Sequence, residues 1–208
     1  MKIRSILTAG AVALAFLTSA SAASPWSLRV RATYLVTADK SDAFSALGLN
    51  FASGAVSVSD KLIPEIDVAY NFTDVFSTEL VLTIPQEHSV TLAGAGKLGT
   101  FKHLPPTLLF QYRANPGGGF RPYVGAGVNY TLIFNDKLSV AGVPLHLEHS
   151  SMGFALQAGF DCKVNDRWSF NADLKYAKLG SDVLAGAARL TTAKLDPVLY
   201  SIGAKYEF

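Results

Sequence analysis

Apolar and polar side chains alternate one for one along much of this chain, most plainly at its end. From 198 to 208 the apolar positions are Val198, Tyr200, Ile202, Ala204, Tyr206 and Phe208, while Leu199, Ser201, Gly203, Lys205 and Glu207 take the other parity. A period of two is that of a strand with one apolar face. Seven earlier segments carry the same period: 28–36, 63–72, 76–84, 107–113, 120–134, 154–163 and 168–176. In the first of them Val30, Ala32 and Tyr34 oppose Arg29, Arg31 and Thr33, and in the second Ile66, Val68 and Tyr70 oppose Glu65, Asp67 and Ala69.

The connections between these segments are of two kinds. Those around Thr73, Asn115 and Asn165 are short, and those covering 38–62, 86–105, 135–150 and 180–196 are long. Eight strands with short and long links in strict alternation predict an all-β fold, an eight-stranded antiparallel transmembrane β-barrel of the outer-membrane type. Its short turns would be periplasmic and its long loops extracellular. Aromatic residues fall into two groups that match the girdles of such a barrel. Phe72, Phe76, Tyr112, Phe120, Trp168, Phe170, Tyr206 and Phe208 lie toward the short turns, and Tyr34, Tyr130, Phe134, Phe154, Tyr176 and Tyr200 toward the long ones. An aromatic residue in the last position resembles the closing strand of bacterial outer-membrane barrels. That resemblance implies that Phe208 is an insertion signal, with the barrel-assembly machinery as a partner during insertion.

The beginning of the chain agrees with export. Lys2 and Arg4 precede an apolar run from Ile6 to Leu17 and a small-residue site at Ala20-Ser21-Ala22, so residues 1–22 are read as a cleaved signal peptide and 23–208 as one barrel domain. Loss of Lys2 and Arg4 turns 18 basic against 16 acidic groups into 16 of each, a neutral chain with no electrostatic claim on nucleic acid. After the signal peptide no apolar run approaches the roughly 20 residues of a spanning helix, so a membrane would be crossed by strands. The single cysteine, Cys162, lies on an apolar strand face and is read as a small hydrophobe. His88, His103, His146 and His149 all fall in expected loops without the carboxylate or cysteine set that would complete a metal site. Gly94-Ala95-Gly96 and Gly125-Ala126-Gly127 lack the spacing of phosphate-binding loops, and the latter glycines are read as making room for bulky neighbours in a narrow lumen. No nucleophile–base set stands in order, so neither an enzyme nor a cofactor is expected.

Two stretches in the middle carry a family likeness. Lys102-His103-Leu104-Pro105-Pro106-Thr107-Leu108 and Phe120-Arg121-Pro122-Tyr123-Val124-Gly125-Ala126-Gly127-Val128-Asn129-Tyr130-Thr131 resemble the outer-membrane protein W (OmpW) family, which includes AlkL-like uptake proteins for hydrophobic compounds. Val30-Arg31, Thr73-Asp74, Glu79-Leu80, Arg189-Leu190, Asp196-Pro197 and the Tyr206-Glu207-Phe208 ending extend the likeness over nearly the whole exported chain. The sequence departs from the family at Ile84-Pro85-Gln86, where a Thr-Pro-Phe-like run is common, and in its long loops. The resemblance implies an eight-stranded outer-membrane barrel whose lumen carries a hydrophobic channel for small apolar molecules.

Ordered by height, the inward parity changes character. Its lower part reads Arg29, Arg31, Glu65, Asp67, Glu79, Arg113, Arg121, Asp161, Lys163, Asp173, Lys175, Lys205 and Glu207, seven basic and six acidic groups in a lumen just wide enough for side chains. Such charges must pair to be tolerated. A plug is expected in which Arg29, Arg31, Arg121 and Lys163 meet Glu65, Asp67, Asp161 or Glu207. The upper part reads Leu35, Ile63, Val81, Leu109, Ile133, Ala155, Leu179 and Leu199, and the leucines, isoleucines and valine among these, joined by Leu104, are expected to line a ligand path. Pro64, Pro85, Pro105 and Pro106 stand near the outer ends of three consecutive strands, where each removes a ladder N–H and could open the wall sideways. Two functions fit this reading. One is a narrow channel for passive uptake of small hydrophobic molecules with lateral release into outer-membrane lipid, and the other is a non-conducting barrel serving as an anchor or surface receptor.

Overall fold

The structure, a computed structural model, describes residues 24–38, 40–46, 49–114, 117–186 and 188–208; the signal-peptide segment and the Asn115-Pro116 turn lie outside the described residues. Eight long strands form the barrel: β1 Trp26–Val36, β2 Lys61–Asn71, β3 Phe76–Thr83, β4 Thr107–Arg113, β5 Phe120–Val140, β6 Ser150–Lys163, β7 Trp168–Ala177 and β8 Val198–Glu207. Each pairs antiparallel with the next, and β8 returns to β1 from Ser27↔Glu207 to Val36↔Val198, so the sheet closes and leaves no edge.

Alternation divides the side chains between two environments. Val30, Ile66, Phe110, Val124, Val128 and Ile202 point out of the barrel and stay exposed, while Arg29, Arg31, Glu65, Asp67 and Lys205 point in and are buried. A continuous outward apolar band of this size would drive association in water and is satisfied by lipid. At the short-turn end the band is rimmed by touching aromatic pairs, including Trp26–Tyr70 at 4.9 Å, Trp168–Tyr206 at 4.8 Å and Phe76–Tyr112 at 5.5 Å. The short turns are held by side chains. Thr73 Oγ1 accepts from the Phe76 amide at 3.0 Å, and Asn165 Oδ1 accepts from the Arg167 and Trp168 amides at 3.0 and 2.9 Å.

The long connections are not open loops, contrary to the expectation from sequence. They fold into a second tier of short strands standing on the barrel: Val56–Val58, a hairpin of Gln86–Leu92 and Gly96–Leu104, the upper half of β5, Val143–Leu147, and a hairpin of Gly180–Ala185 and Ala188–Lys194. Lys40–Ser41 pairs with the last of these, and the Ser41 carbonyl accepts from the Gly54 amide at 3.0 Å, which brings the tier round toward its start. Val58, Val90, Leu92, Phe101, Ile133, Leu138, Leu145, Leu179, Val183 and Leu195 fill it with an apolar core. A small hairpin, Phe44–Ala46 with Leu49–Phe51, brings Phe44 and Phe51 to stack at 4.9 Å beside this core.

Candidate functional site

The lower lumen is a network of charges. Arg31 is its hub: Nε lies 2.8 Å from Glu65, Nη2 is 2.5 Å from Asp67 and 3.1 Å from Glu79, and Nη1 is 3.4 Å from Asp173. Arg29 pairs with Glu79 and with Asp161 at 3.3 Å, and its guanidinium sits 5.0 Å from the centre of the Tyr123 ring. Lys175 bridges Glu65 and Asp173 at 2.8 and 2.6 Å, while Lys205 bridges Asp161 and Glu207 at 3.1 and 2.8 Å. At the periplasmic mouth Arg121 reaches Glu207 at 3.3 Å.

One residue expected in this plug is elsewhere. Lys163 is the last residue of β6; its side chain is 37% exposed and donates to Asp166 three positions on, at 2.8 Å. Parity places it inward and its backbone still registers with Ser169, but it is the last rung at the rim and its flexible stem turns out to the Asp166 carboxylate. Without it the lumen balances, with Arg29, Arg31, Arg113, Arg121, Lys175 and Lys205 facing Glu65, Asp67, Glu79, Asp161, Asp173 and Glu207.

Above the charges the lumen is lined by apolar and polar groups together. Leu35, Ile63, Val81, Leu179 and Leu199 border a cavity of about 40 Å³, and Leu109, fully buried, packs with Val81, Ala155 and Ala177. Ile133 borders a second cavity of the same volume inside the outer tier, which Phe44 and Phe51 also line. Leu104 borders neither cavity; it is half-buried and registers with Leu132 on β5, because Phe101 and His103 hold the inward parity of its strand. Polar groups are interleaved with the apolar ones, since Val81 registers with Thr107 and Ile133 with His103; His103, Thr107 and Asn129 also border the first cavity, and Thr131 and Gln86 are buried near them.

Gly125 keeps the middle of the lumen passable for two of its polar groups. A Cβ there would lie 2.8 Å from Gln157 Oε1 and 3.3 Å from Gln111 Cγ, and Gln111 donates to Gln157 at 2.7 Å. Gly125→Val is expected to break that hydrogen bond, leave buried amide groups unpaired and lower the unfolding free energy by about 1 to 3 kcal/mol, with a correspondingly lower midpoint. Urea titration in lipid vesicles would show it, and an unchanged midpoint would mean that the space is not needed.

The prolines coincide with interruptions in the wall. Pairing of β2 with β3 stops at Glu65↔Thr83, and pairing above it resumes only at Val58↔Val90. Pairing of β3 with β4 stops at Val81↔Thr107 and resumes between the outer-tier strands at Gln86↔His103. Residues 82–85 and 104–106 therefore have no cross-strand register with each other. The carbonyls released there are taken up by side chains. Pro64 O accepts from Thr83 Oγ1 at 2.9 Å, Ile84 O from Gln86 Nε2 at 2.8 Å, and Pro105 O from Thr107 Oγ1 at 3.2 Å and Asn129 Nδ2 at 3.4 Å. Substituting side-chain donors for rungs keeps an interrupted wall stable in lipid, where an unpaired carbonyl is costly. Sequence reasoning named the prolines but missed Thr83, Thr107 and Asn129 as the donors to their carbonyls, and Gln86 as the donor to Ile84 O.

Two histidines expected in loops are buried on strands. His88 Nδ1 lies 2.6 Å from Ser59 O, and the His88 and His103 rings meet edge to face at 4.8 Å beside Phe101. Burial lowers the affinity of both for protons, and His103, further opposed by His88 and Lys61, is pushed down to about 3 and is neutral at physiological pH. His146 is exposed and lies 3.3 Å from Asp136.

Residues 24–208 match the model of the OmpW family. The chain is 36% identical to the outer-membrane protein y4mB of Sinorhizobium fredii over 97% of this chain and 88% of that one. It is 30% identical to the dibenzothiophene metabolism operon protein PahQ of Pseudomonas aeruginosa over 89% of each. Among solved structures it is similar to the outer-membrane protein OprG of Pseudomonas aeruginosa, with 29% identity, a TM-score of 0.74, and coverage of 88% of this chain and 95% of that one.

Proposed function

The chain belongs to the OmpW family of outer-membrane barrels, and from that premise we propose that it conducts small apolar molecules passively from the cell exterior into the outer membrane, releasing them sideways through the wall between β2 and β4. The observation that carries this reading is the double interruption of pairing at Pro64, Pro85, Pro105 and Pro106, placed at the height where the lumen changes from apolar to charged. Straight passage to the periplasm would take an apolar molecule through a dry lattice of ion pairs. Sideways passage transfers it from water to lipid, downhill by roughly 25 cal/mol per Å² of apolar surface buried. No energy source is required.

Ile63, Val81 and Leu109 would guide the molecule to the gap, and Leu35, Ile133, Leu179 and Leu199 would line the approach from above. A cavity of about 40 Å³ holds only a few methylene groups, so passage would displace side chains rather than fill an empty tube. The relation to a protein of a dibenzothiophene operon supports an apolar cargo. Cells making the wild type are expected to take up a small apolar compound faster than cells making Leu109→Arg, which sets a charge against Val81, the last paired residue below the gap. Equal rates would retire the conduit in favour of a non-conducting anchor.

A further inference from the structure

His103 contributes nothing to a purely apolar conduit, and its position is expensive. It is 1% exposed, both ring nitrogens lack a hydrogen-bond partner among the described residues, and the side chain borders the cavity at the inner side of the interrupted wall. Its neighbours have no spare donors for it. Thr107 Oγ1 donates to Pro105 O, Asn129 Nδ2 donates to Thr107 at 2.7 Å, and Thr131 Oγ1 donates to Asn129 at 2.7 Å. His88 keeps one nitrogen on Ser59 O, and its other, Nε2, is also unpaired. A purely apolar cargo would gain nothing from the two unpaired nitrogens of His103 beside its path. A leucine there would serve it better.

We propose that His103, with His88 behind it, is a polar subsite that takes the single uncharged hydroxyl or carbonyl group of an otherwise apolar ligand. A neutral imidazole offers one donor and one acceptor, the complement of a hydroxyl. The nearest charges below, Glu65 and Lys175, are already paired to each other at 2.8 Å, so the cavity provides no free counter-ion for a carboxylate or an ammonium. The cavity volume suits a head group, with the hydrocarbon body lying along Ile63 and Val81 or out through the gap. The inference rests on the conduit reading and ranks monofunctional alcohols and ketones above plain hydrocarbons among its cargo.

The test compares n-hexane with 1-hexanol on the full chain in lipid nanodiscs, with ¹⁵N-labelled histidine rings and ¹³C-labelled Ile, Leu and Val methyls. Both compounds are expected to shift the Ile63, Val81 and Leu109 methyls, and only 1-hexanol to shift the His103 ring nitrogens. His103→Leu should bind hexane as before and lose about tenfold in its preference for hexanol, a ratio from which partition into lipid cancels. If the methyls answer to both compounds while the His103 nitrogens stay still, the subsite is wrong and the conduit stands. If the methyls answer to neither, the conduit is wrong and the subsite falls with it.

Discussion

Arg31→Met is expected to cost about 3 to 5 kcal/mol of folding free energy, because it leaves buried carboxylates without their common counter-charge. Glu65, Asp67, Glu79 and Asp173 all converge on that one guanidinium. Lys175 still covers Glu65 and Asp173, and Arg29 still covers Glu79, but the Asp67 carboxylate keeps no other ion-pair partner among the described residues. The interior cannot admit enough water to compensate, since Arg31, Asp67 and Glu79 are almost fully buried. Urea titration followed by tryptophan fluorescence reads the loss. Lys163→Met provides the contrast, as that lysine pairs with Asp166 at the surface and its removal should leave the midpoint where it was. Equal midpoints for Arg31→Met and wild type would mean that the lower lumen is wet enough for its charges to be independent.

Deleting Phe208, or changing it to Asp, is expected to leave export intact and to deplete most of the heat-modifiable folded form in the outer membrane. The last strand is where the barrel closes, pairing with β7 on one side and β1 on the other. Phe208 extends that closure: its amide donates to Trp26 O at 3.3 Å and its carbonyl accepts from the Ser24 amide at 2.9 Å. Its ring meets Tyr206 edge to face at 5.0 Å, and Tyr206 in turn meets Trp168. A charge at this point would enter the interfacial aromatic girdle beside the seam that must form last. Gel mobility of unboiled membranes reads the folded fraction, and wild-type amounts of the fast form would dismiss the terminal residue as a signal.

Period two made the barrel legible because each strand separates lipid from lumen one residue at a time. The lower lumen was legible for the same reason: an inward Arg29 or Asp161 stands out between Leu28 and Val30, or between Phe160 and Cys162. The outer tier was not. In Gln86–Leu92 the inward positions are Gln86, His88, Val90 and Leu92, so the first half of the strand has no apolar contrast to show its period. Its return strand is disguised by Gly96 and Gly99, the latter so close to the Lys137 carbonyl that no side chain would fit. Parity also failed where a strand ends, as at Lys163, since position then depends on how the chain leaves the ladder. The side-chain donors of the interrupted wall could have been sought from one signal. A proline removes a rung, so a hydroxyl or amide on an adjacent strand should stand ready for the carbonyl it releases.

The sideways route is tested most directly by closing it reversibly. Continuing the register that pairs Val81 with Thr107 would set position 82 opposite 106, so Leu82→Cys and Pro106→Cys, in a chain whose Cys162 is changed to Ala, would staple the wall of β3 to that of β4 across the gap. Uptake of a small apolar compound by cells carrying this variant is measured before oxidation, after it, and after reduction. Lateral release requires the oxidised form to fall to the rate of cells lacking the protein and reductant to restore it; an unchanged rate on oxidation would rule that route out.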